Sequence, residues 1–217
     1  MGRDQFIQQM QDLQDQIIVM GSKVSGMLLD SVRFLKVRDM EGSRSIIQTD
    51  REINTTRYAI EEEVLALIAL QQPAAGDLRT LAAILEIAGE LERIGDYAKG
   101  IGKINLLIGD EELIKPLIDL PRMADKAKSM LDSALDAFID RDVEAARAIP
   151  ARDDEIDELY NQVYTELAAL TMAKPSRLEQ ANYLLWAAHN LERAGDRVVN
   201  LCERIIFTVT GKLEEIN

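Results

Sequence analysis

The sequence predicts an all-α protein made of two tandem, antiparallel three-helix bundles, with six long helices in total. Three observations predict this fold class. Apolar residues recur at intervals of three and four over long stretches, which is the helical period. The five prolines and twelve glycines of the 217-residue chain leave those stretches nearly uninterrupted. Landmarks of the first half also return, in the same order, in the second half, which indicates a duplicated unit.

The first two helices follow from apolar periodicity. The pattern starts at Phe6 and continues to Leu35, close to a heptad repeat. It predicts a helix of about 32 residues, about 48 Å long. After a break at residues 39–43, a second periodic segment predicts a helix from near Ser43 to about Leu70.

The third helix is predicted after the punctuation at Pro73 and Gly76, with Asp77 as its N-cap. It extends to about Ile101 and is apolar on nearly all sides in its first half. Such a helix belongs in the middle of a bundle. A connector that ends at Pro116 separates it from the second half.

The second half predicts three more helices, over residues 123–138, 143–167 and 177–210. Pro150 lies inside the fifth and is expected to kink it or to mark its true start, because proline cannot donate the helical hydrogen bond. Gly211 is a suitable C-cap for the sixth.

Three landmarks match between the halves. They are Pro73 with Pro175, residues 50–54 with 153–157, and the hexapeptide 91–96 with 191–196. They predict one repeat in residues 1–110 and a second in residues 111–217.

Acidic side chains occupy rows on these helices that would otherwise be apolar. Each hexapeptide copy places two carboxylates four residues apart, and therefore on one helix face. Clustered carboxylates repel one another unless a cation lies between them, so the duplication favours two metal sites. The candidate metal ligands are Asp50, Asn54, Glu92, Asp96, Asp153, Asp157, Glu192 and Asp196.

Oxygen ligands favour hard cations, namely magnesium, manganese, calcium or iron. Zinc is disfavoured because the chain has one histidine and one cysteine. Two alternatives compete with metal binding: the acids are simply solvated, or they pair with Arg93 and Arg193.

The formal net charge of −13 disfavours nucleic acid and anionic membranes as partners and favours cations or basic protein surfaces. Nucleic acid and direct electrostatic binding to an anionic membrane both require a basic surface. Cys202 is the single cysteine, so an internal disulfide is excluded. The N-terminus lacks a signal-peptide pattern and the longest apolar run is too short to span a membrane. These features predict a cytoplasmic protein.

Motifs of catalysis are absent from the sequence, including a glycine-rich phosphate loop and a nucleophile elbow. We therefore expect a protein that is not an enzyme. Two other hypotheses remain open: a metal-dependent phosphoester hydrolase, and a structural bundle without metal.

Residues 72–79, 91–96 and 191–211 resemble the PhoU family, bacterial accessory and regulatory proteins of phosphate transport. The resemblance covers essentially the whole chain. It implies the double three-helix fold and acidic motifs that bind multinuclear metal clusters, iron in some members, at the bundle surface. Matched position by position, those motifs are the eight candidates named above. Asn54 departs from the acidic pattern and lowers the charge of the first-half site.

The resemblance also implies a function. PhoU-like proteins restrain phosphate uptake and the phosphate-starvation response when phosphate is plentiful. The implied partners are the ATPase of the phosphate ABC transporter and a membrane sensor histidine kinase, so membrane association would be peripheral. The oligomeric state is left open, with a homodimer as one alternative, and so is service to a different phosphate carrier.

Overall fold

The computed structural model describes residues 3–216, and all regular secondary structure in that range is helical. The helices are α1 (Arg3–Val37), α2 (Met40–Gln71), α3 (Ala75–Ile108), α4 (Asp119–Asp140), α5 (Val143–Ala148), α6 (Asp154–Ala173) and α7 (Leu178–Thr210). Short 3-10 turns precede α6 and α7. The predicted fifth helix corresponds to α5 and α6 together, and the all-α prediction is confirmed. Residues 1, 2 and 217, at the ends of the two predicted repeats, lie outside the described residues.

Two three-helix groups pack into one body. Helices α1, α2 and α3 contact one another, as do α4, α6 and α7. The groups are joined most extensively by α3 against α7, and also by α1 against α4. These four helices form a central layer with α2 and α6 on its outer sides, and the buried apolar side chains form one continuous core. The predicted central position of the third helix is confirmed.

The start of α3 differs from the prediction. Its N-cap is Ala74, which makes no side-chain capping bond, and α3 begins at Ala75. Asp77 therefore lies inside the first turn, and its prediction as the N-cap was wrong. A carboxylate in the first turn is still favourable because it faces the positive end of the helix dipole.

Pro150 interrupts the predicted fifth helix, in agreement with the prediction that this proline would kink the helix or mark its true start. Helix α5 ends at Ala148, Pro150–Arg152 form a 3-10 turn, and α6 begins at Asp154. Its counterpart α2 contains no proline and is continuous. As a consequence, Asp153 lies at the start of its helix, whereas Asp50 lies inside α2.

A further repeated feature, which the sequence analysis missed, joins the first two helices of each half. Arg38 and Arg141 adopt left-handed backbone conformations, with φ of 60° and 53°. Each is followed by an aspartate that caps the next helix: the Asp39 carboxylate accepts from the Gly42 amide at 2.8 Å, and Asp142 caps α5 in the same way. The repeated Arg-Asp-x-Glu sequence at both positions is the signal that could have revealed it.

One buried polar residue holds the first corner to α3. The Asn105 side chain is fully buried, and its amide lies 3.1 Å from the Phe34 carbonyl oxygen, 3.1 Å from that of Asp39 and 2.8 Å from Ser43 Oγ. Arg38 donates to its carbonyl oxygen. Asn105 thus holds the chain reversal between α1 and α2 in place through hydrogen bonds to its backbone carbonyl groups and to Ser43.

We expect Asn105→Ala to lower the free energy of unfolding by about 2–4 kcal/mol, because it leaves several buried polar groups without partners. Urea unfolding followed by circular dichroism measures this. The control Asn161→Ala, at an exposed position of α6, should change stability by less than about 0.5 kcal/mol. Equal effects of the two changes would contradict the structural role of Asn105.

Within residues 3–216, the helices include none that is long and apolar enough to cross a membrane.

Candidate functional site

The eight candidate ligands lie in two groups on the outer sides of the central layer. The first cluster, between α2 and α3, consists of Asp50, Asn54, Glu92 and Asp96. The second cluster, between the start of α6 and α7, consists of Asp153, Asp157, Glu192 and Asp196. In each half, the helix that carries the first two candidate ligands thus faces the last helix of that half.

The first cluster contains an internal cation. Lys99 Nζ lies 2.8 Å from Asp50 Oδ2 and also donates to Asp96 Oδ1, so one ammonium bridges α2 and α3. Asp50 is only 3% exposed. Asn54 Nδ2 donates to the Asp50 backbone oxygen at 2.9 Å. The sequence analysis missed Lys99, although its position three residues after Asp96 places it on the same helix face.

The electrostatic environment of the first cluster favours the charged form of Lys99. Burial lowers the pKa of Lys99, but hydrogen bonds to Asp50 and Asp96 outweigh it and raise the pKa overall. Burial, followed by the charge of Asp96, raises the pKa of Glu92. Lys99 is therefore charged at neutral pH and compensates part of the acidic charge around it.

The second cluster is built on a close contact between Asp153 and Gly195. A Cβ atom placed on Gly195 would overlap Asp153 Oδ1 and would lie 3.3 Å from Asp153 Cγ. Only glycine leaves room for this carboxylate against α7. Helices α6 and α7 thus approach each other closely at this step. At Gly95 the nearest atom is Ile53 Cγ2 at 3.6 Å, an ordinary contact.

The position equivalent to Lys99 is Val199, three residues after Asp196. A cavity of about 340 Å³ is lined by Val199 together with Asp153, Asp196 and Asn200. Arg197 also lines it, but its guanidinium pairs with Glu90 of α3, 3.4 Å away, and not with the second cluster. Across the described range, ion pairs to the second cluster come from α7 alone: Arg193 Nη1 lies 3.1 Å from Asp196 Oδ2, and His189 Nδ1 lies 3.1 Å from Glu192 Oε2.

The acids of the second cluster are therefore poorly compensated. Burial, followed by the charges of Asp157 and Asp196, raises the pKa of Asp153 to about 7. Burial and then the charge of Asp196 raise the pKa values of Asp157 and Glu192 as well. Among residues 3–216, the buried side-chain atoms without a hydrogen-bond partner include Asp153 Oδ1 and Glu192 Oε2 in this cluster, and one oxygen, Asp50 Oδ1, in the first cluster.

In the described part of the chain, no three or more His, Cys, Asp or Glu side chains are arranged so that they could hold a metal ion. Metal binding at either cluster therefore requires these side chains to reorient, and the bound cation would offset the mutual repulsion of the carboxylates. The second cluster offers only oxygen donors, two of them buried and unpartnered, which fits a hard cation. The first cluster fits less well, because the Lys99 ammonium lies between Asp50 and Asp96.

Comparison with known proteins also divides the chain into two parts. The family model of the PhoU domain matches residues 17–104 and 120–205. The chain is 33% identical, over 218 residues and 100% of both chains, to the phosphate-specific transport system accessory protein PhoU homolog of Clostridium acetobutylicum. It is 35% identical to the homolog from Caulobacter vibrioides, over 89% of this chain and 84% of that protein.

Solved structures agree with the sequence matches. The crystal structure of PhoU from Pseudomonas aeruginosa superposes with a TM-score of 0.90 at 28% identity, covering 95% of this chain and 100% of that one. The phosphate transport system regulatory protein PhoU from Streptococcus pneumoniae gives 0.89 at 29% identity, covering 96% and 99%. The predicted resemblance and the two-repeat fold are thus confirmed, and the chain belongs to the PhoU family.

Proposed function

We propose that this protein is a regulatory adaptor of a phosphate transport system, which restrains phosphate uptake and the phosphate-starvation response when phosphate is plentiful. The observation that carries this proposal is the match over the full length of both chains to a protein named as a phosphate-specific transport system accessory protein. The name of the Streptococcus pneumoniae structure, a regulatory protein, supports the same role. The adaptor has no catalytic activity of its own.

The partners that fit this role are the ATPase of the phosphate ABC transporter and a membrane sensor histidine kinase. With a net charge of −13, the adaptor would bind basic surfaces on these proteins by electrostatic complementarity. It would reach the cytoplasmic side of the membrane through them and not through lipid. A second copy of the chain is a further candidate partner.

Deletion of the gene in the source bacterium tests the regulatory role. In medium rich in phosphate, we expect raised phosphate uptake and raised expression of phosphate-starvation genes, both reversed by a plasmid copy. Unchanged uptake and expression would contradict the proposal. If the effect persists after the ABC transporter is also deleted, the adaptor serves a different phosphate carrier.

The proposal includes a metal ion at the second cluster. Asp153 and Asp157 would bind it from α6, and Glu192 and Asp196 from α7. Iron, magnesium or manganese suits such an all-oxygen site. The bound cation would supply the positive charge that this cluster lacks and would connect α6 to α7. Each proposed repeat, 1–110 and 111–217, contributes one cluster.

Asp196→Ala is expected to remove most of the bound metal while the helical content stays unchanged, because Asp196 is half-exposed and contributes little packing. Elemental analysis of protein purified without chelator measures the metal, and circular dichroism measures the helices. Asp136→Ala, at an exposed position of α4, is the control and should retain full metal content.

One outcome would count against the metal site and another against the non-catalytic role. Wild-type protein without metal, whose melting temperature is unaffected by chelation, would leave a structural bundle. Hydrolysis of a model phosphomonoester by the manganese- or iron-loaded protein, lost in Asp196→Ala, would instead support a metal-dependent hydrolase.

A further inference from the structure

We infer that Lys99 occupies the place of a metal ion in the first cluster, so that the protein binds metal in its second half only. This inference rests on the metal site proposed for the second cluster. It concerns a difference between the two repeats that the duplication itself does not predict. In both clusters a cation would then connect two helices. The cation would be the Lys99 ammonium in the first cluster and a metal ion in the second.

The geometry of the ammonium supports this inference. Lys99 Nζ contacts one carboxylate of α2, Asp50, and one of α3, Asp96. Asp50 is the one carboxylate that α2 contributes to this cluster, so a metal ion shared between the two helices would need the carboxylate that Lys99 already contacts. The side chain of Lys99 is 21% exposed and that of Asp50 is 5% exposed, so the pair is shielded from solvent. Shielded, hydrogen-bonded ion pairs are costly to break because separation leaves a buried charge uncompensated.

The attachment of Lys99 to α3 further favours its ammonium over a free metal ion. Lys99 belongs to the same helix as Asp96, so its effective concentration at the cluster is far above that of a free cation. A metal ion entering the first cluster would first have to displace it. Asn54 also contributes one carboxylate fewer than Asp157 does, which weakens the attraction for a second cation.

The formal charges of the two clusters also favour metal binding in the second half over the first. The first has three carboxylates and the Lys99 ammonium, a sum of −2, whereas the second has four carboxylates and the Arg193 guanidinium paired with Asp196, a sum of −3. Val199 occupies the position where a lysine would compensate the second cluster, and it lines the same cavity as Asp153 and Asp196. Two differences between the halves, Lys99 against Val199 and Asn54 against Asp157, therefore account for which half can accept a metal ion.

Single changes in the acids test where the metal is bound. Asp96→Asn should leave the metal content of purified protein unchanged, whereas Asp196→Asn should lower it by most of its value. Neither variant alters a lysine or removes a packed apolar group. Equal losses in the two variants would overturn the inference, because metal would then be bound in both halves.

Exchange of the lysine tests its role directly. Val199→Lys should remove most of the bound metal from the second cluster. The double variant Lys99→Val with Asn54→Asp gives the first cluster the residue set of the second and should raise the metal content about twofold. Val209→Lys, exposed near the end of α7, and Lys103→Val, exposed one turn after Lys99, are the matched controls. Both should keep the wild-type metal content.

Metal per chain is measured by elemental analysis and by counting manganese ions with electron paramagnetic resonance, on variants with wild-type circular dichroism spectra. Full metal in Val199→Lys would overturn the inference while leaving the proposed second-cluster site intact. Absence of metal from the wild type would refute that site itself. In that case a gain of metal by the double variant still supports the role of Lys99, and no gain refutes it.

Discussion

Gly195→Ala is expected to lower the metal affinity of the second cluster by at least about tenfold, although the residue donates no ligand atom. The added Cβ would overlap Asp153 Oδ1 and would lie 3.2 Å from Ile156 Cδ1. Asp153 must therefore turn away from α7, and the proposed site loses its most buried donor. Changes in residues that only orient a ligand commonly reduce metal affinity by about 10–100-fold.

Gly95→Ala is the matched control, since Gly95 occupies the same step of α3. Its Cβ would meet Ile53 Cγ2 at 3.6 Å and Val24 Cγ2 at 3.8 Å, both ordinary contact distances. Because alanine is the better helix former, this variant should gain about 0.5–1 kcal/mol of stability and retain its metal. Titration with manganese followed by isothermal calorimetry compares the two variants.

The two glycine variants distinguish a site from a packing contact. If Gly195→Ala binds metal as tightly as the wild type, the position of Asp153 against α7 has no role in metal binding. If both variants lose metal, the effect comes from the helix and not from the contact with Asp153.

In metal-free protein, the melting temperature is expected to fall as the pH rises from about 4 to about 7. The pKa of Asp153 is raised to about 7 in the folded protein, mainly by burial and then by the charge of Asp157, from an ordinary value of 3.8. Between these two pH values the folded state retains a proton that the unfolded chain has lost. Stability therefore decreases with rising pH in this window and levels off above the folded pKa.

The raised pKa values of Asp157 and Glu192 act in the same direction. Because Asp153 is partly exposed, solvent screening limits its effect to about 1–2 kcal/mol. For a chain of this size that corresponds to about 2–8 °C. Differential scanning calorimetry at pH 5 and pH 8, with chelator present, measures the change.

Asp153→Asn removes the titrating group and should be more stable than the wild type at pH 8, with a much smaller decline between pH 5 and pH 8. Asp136→Asn, an exposed position, should decline as the wild type does. Saturating manganese should abolish the decline in the wild type, because a bound cation stabilises the ionised carboxylates. Identical declines in Asp153→Asn and the wild type would show that Asp153 does not titrate as inferred.

Much of the fold was predictable because its signals are local or repeated. Helical periodicity depends on neighbours three and four residues apart, so the long helices and the central position of α3 followed from residues along one segment. The same spacing predicted that Glu92 and Asp96 share one helix face, and that Glu192 and Asp196 share another. The N-cap of α3 was predicted wrongly because Asp77 was favoured by residue type, whereas the helix begins directly after Pro73 and Ala74.

The sequence by itself determined the helices, the duplication and the two acidic rows, because each depends on spacing along the chain. Only the tertiary structure decided the charge balance of each cluster. Lys99 reaches Asp50 across the α2–α3 interface, and Asp153 packs against Gly195 across the α6–α7 interface. Contacts of this kind depend on which helix faces approach each other and on how deeply they are buried. Two nearly identical motifs can therefore carry different net charges.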